Sequence, residues 1–203
     1  NTYSGGTTVA AGVLQGNSLS LKGNITNNAT VVFDQMESGT YEAIISGPGN
    51  FIKQNSGTLT LTNAQTFTGN VTINGGTLAL ASGGSLTTPV SINQGGTFSL
   101  ATGGGSMNSS LSNAGTVTLN SPSTVNGNYA QTGNLMLGMV DKETFGQLIA
   151  AGDITLSGEI TINLLNELGT LIHDGDTFTI VKTTGGTITY TPVTLTQTGY
   201  SNT

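Results

Sequence analysis

The chain has 203 residues, 35% of them hydrophobic and only 7% charged, with 10 acids against 4 Lys and Arg combined and a net charge of -6. All four basic residues are lysines, and they are scattered, so there is no basic patch to neutralise nucleic-acid phosphates or to hold an anionic membrane surface. With no cysteine, a disulfide framework and thiolate metal sites are excluded, and no stretch approaches the ~20 apolar residues that a membrane-spanning helix requires.

The first predicted element repeats later in the chain. Residues 1–15, "NTYSGGTTVAAGVLQ", align with residues 65–79, "QTFTGNVTINGGTLA", through Thr2/Thr66, Tyr3/Phe67, Gly5/Gly69, Thr8/Thr72, Val9/Ile73, Gly12/Gly76 and Leu14/Leu78. The segment "VVFDQMESGTYEAI", residues 31–44, reads as strands around a charged corner. From residue 56 a shorter period appears: "SGTLTL", "GGTLAL", "GGTFSL" and "AGTVTL" place their threonines at 58, 77, 97 and 116, in steps of 19, 20 and 19. The pattern is expected to continue at about the same step into "GNLMLG" around Leu135 and "GDITLSG" around Thr155.

Inside these phrases the apolar residues alternate, as in Leu59/Leu61, Leu78/Leu80, Phe98/Leu100, Val117/Leu119 and Ile160/Ile162. Period two is the signature of a strand with one face inward and Thr or Ser on the other. Between strands stand "NGG", "NQGG" and "NAG", whose Gly and Asn supply the positive φ of tight corners. Helices are disfavoured by 31 Gly and 36 Thr. One coil of this kind buries too little to fold alone, but coils stacked at strand spacing fuse their aliphatic columns into one core. The expectation is an all-β protein, a right-handed parallel β-helix of about ten rungs of 19–20 residues with a C-terminal β cap.

The stretch "GPGNFIKQNSGTLTLTNAQTFTGNVTINGGTLAL" (47–80) resembles the passenger-associated transport repeat of bacterial autotransporters. A second stretch, "NGNYAQTGNLMLGMVDKETFGQLIAAGDITLSGEITINL" with "HDGDTFTIVKTTGG" after it, resembles the C-terminal end of an autotransporter passenger. The resemblance implies a division into rungs over 1–124 and an autochaperone-like cap over 125–203, the latter of a different, hairpin-containing pattern. It implies structural cap positions at Tyr129, Leu135, Leu137, Phe145, Leu148, Gly152, Leu156, Gly158, Ile160, Ile162, Gly175, Phe178 and Ile180. It also implies a type V-secreted stem and folding nucleus at the bacterial surface or outside the cell, exported through the periplasm, in an adhesin or virulence factor. The implied partners are an outer-membrane β-barrel of the same polypeptide and a host-cell or neighbouring-cell surface. On this reading the chain is a piece of a longer protein.

Catalytic chemistry finds little support in the residues. His173, the single histidine, stands in "LIHDGD" with Asp174 and Asp176, which reads as a polar turn, since no second His or Cys completes a usual zinc set. Seven acids lie between Asp141 and Asp176, but their spacing fits no EF-hand loop and no calcium-binding nonapeptide repeat. Asp34 with Glu37, or Glu37 with Glu42, could form a glycosidase pair only by facing one sugar cleft. No enzyme activity and no cofactor or metal are expected. The alternatives left open are a polysaccharide-binding or polysaccharide-cleaving β-helix and the receptor-binding part of a secreted toxin. Outward threonines such as Thr58, Thr60 and Thr62 also resemble ice-binding arrays, and Tyr3, Tyr41, Phe67 and Tyr129 are candidates for an adhesive patch.

Overall fold

A computed structural model describes residues 5–100, 105–165 and 175–199. The described residues contain strands and no helix, arranged in nine stacked rungs of a parallel β-helix. Rung one holds β1 (Thr7–Val9) and β2 (Val13–Gly16), and rung two β3 (Ile25–Asn27), β4 (Thr30–Asp34) and β5 (Gly39–Tyr41). Rung three holds β6 (Ile45–Gly47), β7 (Asn50–Gln54) and β8 (Thr58–Leu61), and rung four β9 (Thr66–Phe67), β10 (Val71–Ile73) and β11 (Gly76–Leu80). Next come β12 (Ser85–Leu86), β13 (Val90–Ile92) and β14 (Gly96–Leu100), then β15 (Ser106–Met107), β16 (Leu111–Asn113) and β17 (Thr116–Leu119). Rung seven holds β18 (Pro122–Val125), β19 (Tyr129–Gln131) and β20 (Asn134–Met139). The last two rungs are β21 (Gln147–Ala150) with β22 (Ile154–Leu164), and β23 (Val181–Thr183) with β24 (Ile188–Gly199).

Together the rungs build three faces. The first face runs β1-β3-β6-β9 and resumes as β12-β15-β18-β21-β23, with an isolated bridge from Ala64 to Ser85 between the two parts. The second and third faces form one 15-stranded sheet, because β22 continues through a corner and pairs with both β19 and β20. Alternation fills the interior: Leu59, Leu78, Phe98, Val117 and Leu135 form one fully buried column in direct register. A second column, Val31, Phe51, Val71, Val90, Leu111, Tyr129 and Ile154, rises on the second face. Near its start Phe51 stacks between Phe33 and Phe67, with ring centroids 5.4 and 5.7 Å away.

The threonines at 58, 77, 97 and 116 pair rung to rung as their spacing predicts. Two other expectations are corrected. Thr155 is not the next copy: it pairs with Ala130 on the second face, while the partner of Leu135 is Ile160. The step has lengthened because the chain makes an excursion between Met139 and Phe145, closed by an antiparallel bridge between those two residues. Asp141 fastens that excursion, its Oδ1 accepting the Glu143 and Thr144 N–H groups at 2.8 and 2.6 Å. Beyond residue 125 every ladder between named strands is parallel, so the expected hairpin character shrinks to this one bridge among the described residues.

The alignment of residues 1–15 with 65–79 holds as a likeness of sequence, but the two copies do not share a face. Thr8 pairs with Thr26, Thr26 with Ser46 and Ser46 with Thr66, so the column of Thr8 arrives at Thr66 rather than Thr72. The two copies sit one face out of phase. Their chemistry of inward aliphatic, outward Thr and corner Gly suits any two successive faces, so sequence likeness alone does not fix the face.

Corners between the second and third faces carry a line of glycines, Gly57, Gly76, Gly96, Gly115, Gly133 and Gly158. Positive φ accounts for Gly76 and Gly158, at 59° and 78°. Close approach accounts for Gly115 and Gly133: a Cβ there would fall on the carbonyl oxygen of the glycine one rung below. Along this corner the missing side chains leave a groove of about 550 Å³ that reaches from Gln94 to Thr194, with Glu159 as its one charged lining residue.

Candidate functional site: the C-terminal rungs and the polar interior

The cap positions implied by the resemblance fall into three structural roles. Tyr129, Leu135, Leu137, Leu148, Leu156 and Ile160 are buried inside the rungs, with Ile162 and Ile180 partly buried against them. Phe145 and Phe178, both half-buried, meet edge to face with centroids 5.5 Å apart, tying the excursion of rung seven to the chain entering rung nine. Gly152 and Gly158 stand at corners where a Cβ would collide with Asn128 and with the Gly133 carbonyl, whereas Gly175 has positive φ in an exposed turn. The rungs are held together through main chain as well: Leu148 N–H donates to Ile180 O at 2.9 Å, and Tyr129 N–H to Asp153 O at 2.9 Å. Asp153 clasps the last corner, accepting from the Thr187 N–H and hydroxyl, and these bonds hold its carboxyl below the ordinary carboxylate range.

One interior column is unlike the others. Phe33, Lys53, Ile73, Ile92, Asn113, Gln131 and Leu156 stack in register on the second face, and its three polar members are buried. Lys53 donates from Nζ to the carbonyls of Gln54, Asn55 and Gly75 at 2.9, 2.8 and 3.0 Å. Burial pulls its ammonium down from 10.5 to about 8, partly opposed by the Asp34 carboxylate. Gln131 donates from Nε2 to the carbonyls of Gly133, Ser157 and Glu159, and its Oε1 accepts the Tyr129 hydroxyl at 2.8 Å. Asn113 donates to Asn134 O at 2.8 Å and to the Tyr129 hydroxyl at 3.2 Å. Burial raises the Tyr129 phenol above its ordinary value, and the Asn113 hydrogen bond opposes the shift.

These polar residues were not singled out in the sequence, although a signal was there. Counting by two from Phe51, Leu111 and Tyr129 places Lys53, Asn113 and Gln131 on the inward side. Their chemistry argues for the outside, and alternation wins because each side chain finds main-chain carbonyls at a corner.

The catalytic candidates are placed as follows. Asp34 and Glu37 line a cavity of about 410 Å³ at the N-terminal end, but both Asp34 oxygens accept side-chain amides, from Gln15 at 2.7 Å and from Asn55. Glu42 is exposed. Among the described residues no three His, Cys, Asp or Glu side chains gather where they could hold a metal. His173 and Asp174 lie outside the described residues, and Asp176 is exposed. Tyr41, Phe67 and Tyr129 are core residues, which removes them from any adhesive patch, and Tyr3 lies outside the described residues. The outward threonine column through Thr40 and Thr60 is interrupted by Ala79 and Ser99. That interruption breaks the array, although Thr58, Thr77, Thr97 and Thr116 remain in register.

No curated protein and no solved structure matches the chain. Residues 1–15 and 51–80 match the family model described as Passenger-associated-transport-repeat. The second match covers β7 to β11, where Phe51, Leu59, Leu61, Phe67, Ile73, Leu78 and Leu80 all point into the core. The chain therefore carries the passenger-associated transport repeat, set in a parallel β-helix, consistent with an autotransporter passenger domain.

Proposed function

We propose that the chain is the structural stem and folding nucleus of a secreted or surface-displayed autotransporter passenger, an adhesin or virulence factor, and that it has no catalytic role of its own. The observation that carries this reading is the repeat match within a stack of parallel rungs. The autochaperone role is assigned to residues 125–203. Their rungs have the longest strands, β22 and β24, and β24 lies on β22 with ten paired residues, more than any other strand pair here. Once formed, a strand pair of that length offers an edge on which shorter rungs add one at a time. The partner in this scheme is an outer-membrane β-barrel of the same polypeptide, with a host or neighbouring cell as the surface contacted.

The test is display. The chain is fused ahead of an autotransporter barrel in a Gram-negative cell, and protease accessibility of the passenger on intact cells is measured with and without residues 125–203. The reading expects a protease-resistant surface passenger only when those residues are present. Equal resistance without them would remove the autochaperone assignment.

A further inference from the structure

We infer that Lys53 and the Asn113–Tyr129–Gln131 cluster are register keys, buried polar groups that determine which rung seats on which. The need for such keys is visible in the fold. The aliphatic columns are nearly interchangeable from rung to rung, as in Leu59, Leu78, Phe98, Val117 and Leu135. The glycine corners repeat as well, and two copies of the same sequence unit sit on different faces. A rung that skips its neighbour and docks on the one beyond meets the same aliphatics and the same main-chain edge. Apolar packing and ladder bonds therefore discriminate poorly between the native stack and one with a rung looped out.

The polar side chains break that translational sameness. Asn113 reaches forward to Asn134 O and Tyr129 Oη in rung seven, and Gln131 reaches forward to Ser157 O and Glu159 O in rung eight. If rung eight docked directly on rung six, Leu156 would lie over Asn113 and Gln131 would lose its interior site. Lys53 does the same between rungs three and four, through Gly75 O. Skipping rung four would set Ile92 over Lys53 and leave the ammonium buried without that carbonyl. The cluster is also imperfect as a source of stability, because Asn113 Oδ1 is buried without a hydrogen bond. A buried polar group that specifies one arrangement at some expense of stability is best attested in coiled coils, another repetitive core.

Cysteine pairs read the register directly, since the chain has no native cysteine. Ser112, Ala130 and Thr155 are exposed and stacked in that order on the second face. Neighbouring rungs lie within disulfide reach, whereas two rungs are separated by about 9.6 Å, beyond it. Ser112→Cys with Ala130→Cys reports the native stack, and Ser112→Cys with Thr155→Cys reports a skipped rung. Each pair is placed in the full chain, refolded from denaturant and oxidised with glutathione disulfide. With Asn113→Leu and Gln131→Leu present, the skipped-rung cross-link is expected to rise about threefold or more over the chain with both keys. Leu137→Val, which weakens the core without touching a key, is expected to leave it unchanged. Lys53→Leu, read with Ile52→Cys and Ser91→Cys across Thr72, gives the same test where the other variant fails to fold. No rise in either key variant, or an equal rise with Leu137→Val, would overturn the inference.

Discussion

Gln131 Nε2 lies 2.7 Å from the main-chain oxygen of Glu159, a contact made from the inside of the solenoid to the corner of the next rung. The same amide also reaches Ser157 O at 3.1 Å. Gln131→Leu keeps the volume and removes both donors, leaving carbonyls inside without that partner. The expected loss is about 1–3 kcal/mol, read as a lower midpoint in urea unfolding. An unchanged midpoint would show that the two carbonyls are satisfied by other means.

The glycine corner makes a sharper steric prediction. At Gly133 a Cβ would fall on Gly115 O, which is backbone and cannot rotate away, whereas Gly5 has nothing within 4 Å. Gly133→Ala should destabilise by about 1–3 kcal/mol, and Gly5→Ala should leave thermal unfolding unaltered within a few tenths of a kcal/mol. Similar behaviour of the two variants would contradict the close-approach account.

Phe51 is fully buried between two aromatic rings. Phe51→Ala should cost about 3–5 kcal/mol, and Phe51→Leu much less, because most of the volume stays. Equilibrium denaturation of both variants separates loss of volume from loss of ring stacking.

Lys53 gives the stability a pH dependence of predictable sign. Its folded value of about 8 lies below the ordinary 10.5, so between those two pH values the unfolded chain binds more protons than the folded one. The destabilising burial of the charged form is fully present below pH 8 and fades as pH rises to 10.5. Stability should therefore climb across that window, by on the order of 2 kcal/mol. Lys53→Met should flatten the climb. A wild-type curve that falls between pH 8 and 10.5 in parallel with that of Lys53→Met would refute the assignment.

The regular rungs were legible because their corners keep one length. Thr58, Thr77, Thr97 and Thr116 could be aligned by eye, and they pair in the structure. Legibility ends where corner length changes. Tyr129 pairs with Ile154, a step of 25 residues, and Ile154 with Ile188, a step of 34, so a search at a period near 20 lands on Thr155 on the wrong face. The phase of residues 1–15 was hidden for a related reason, since alternation and corner glycines describe a strand and a turn but not which of three similar faces they occupy. Of the candidate site, the hydrophobic positions came from the family resemblance, and Leu135 and Leu137 are buried in an alternating strand. Lys53, Asn113 and Gln131 were not legible, because their burial depends on carbonyls contributed by other rungs, and only stacking brings those carbonyls near.

The central claim is that residues 125–203 nucleate the fold of the rungs before them. Its most direct test is refolding from denaturant, followed by circular dichroism, of the whole chain and of residues 1–124. The account predicts that the whole chain regains its β signal, while 1–124, despite holding the more regular repeat, stays unfolded or recovers far more slowly. Equal recovery at equal rate would contradict it, and the stem would then be a β-helix that folds without its C-terminal rungs.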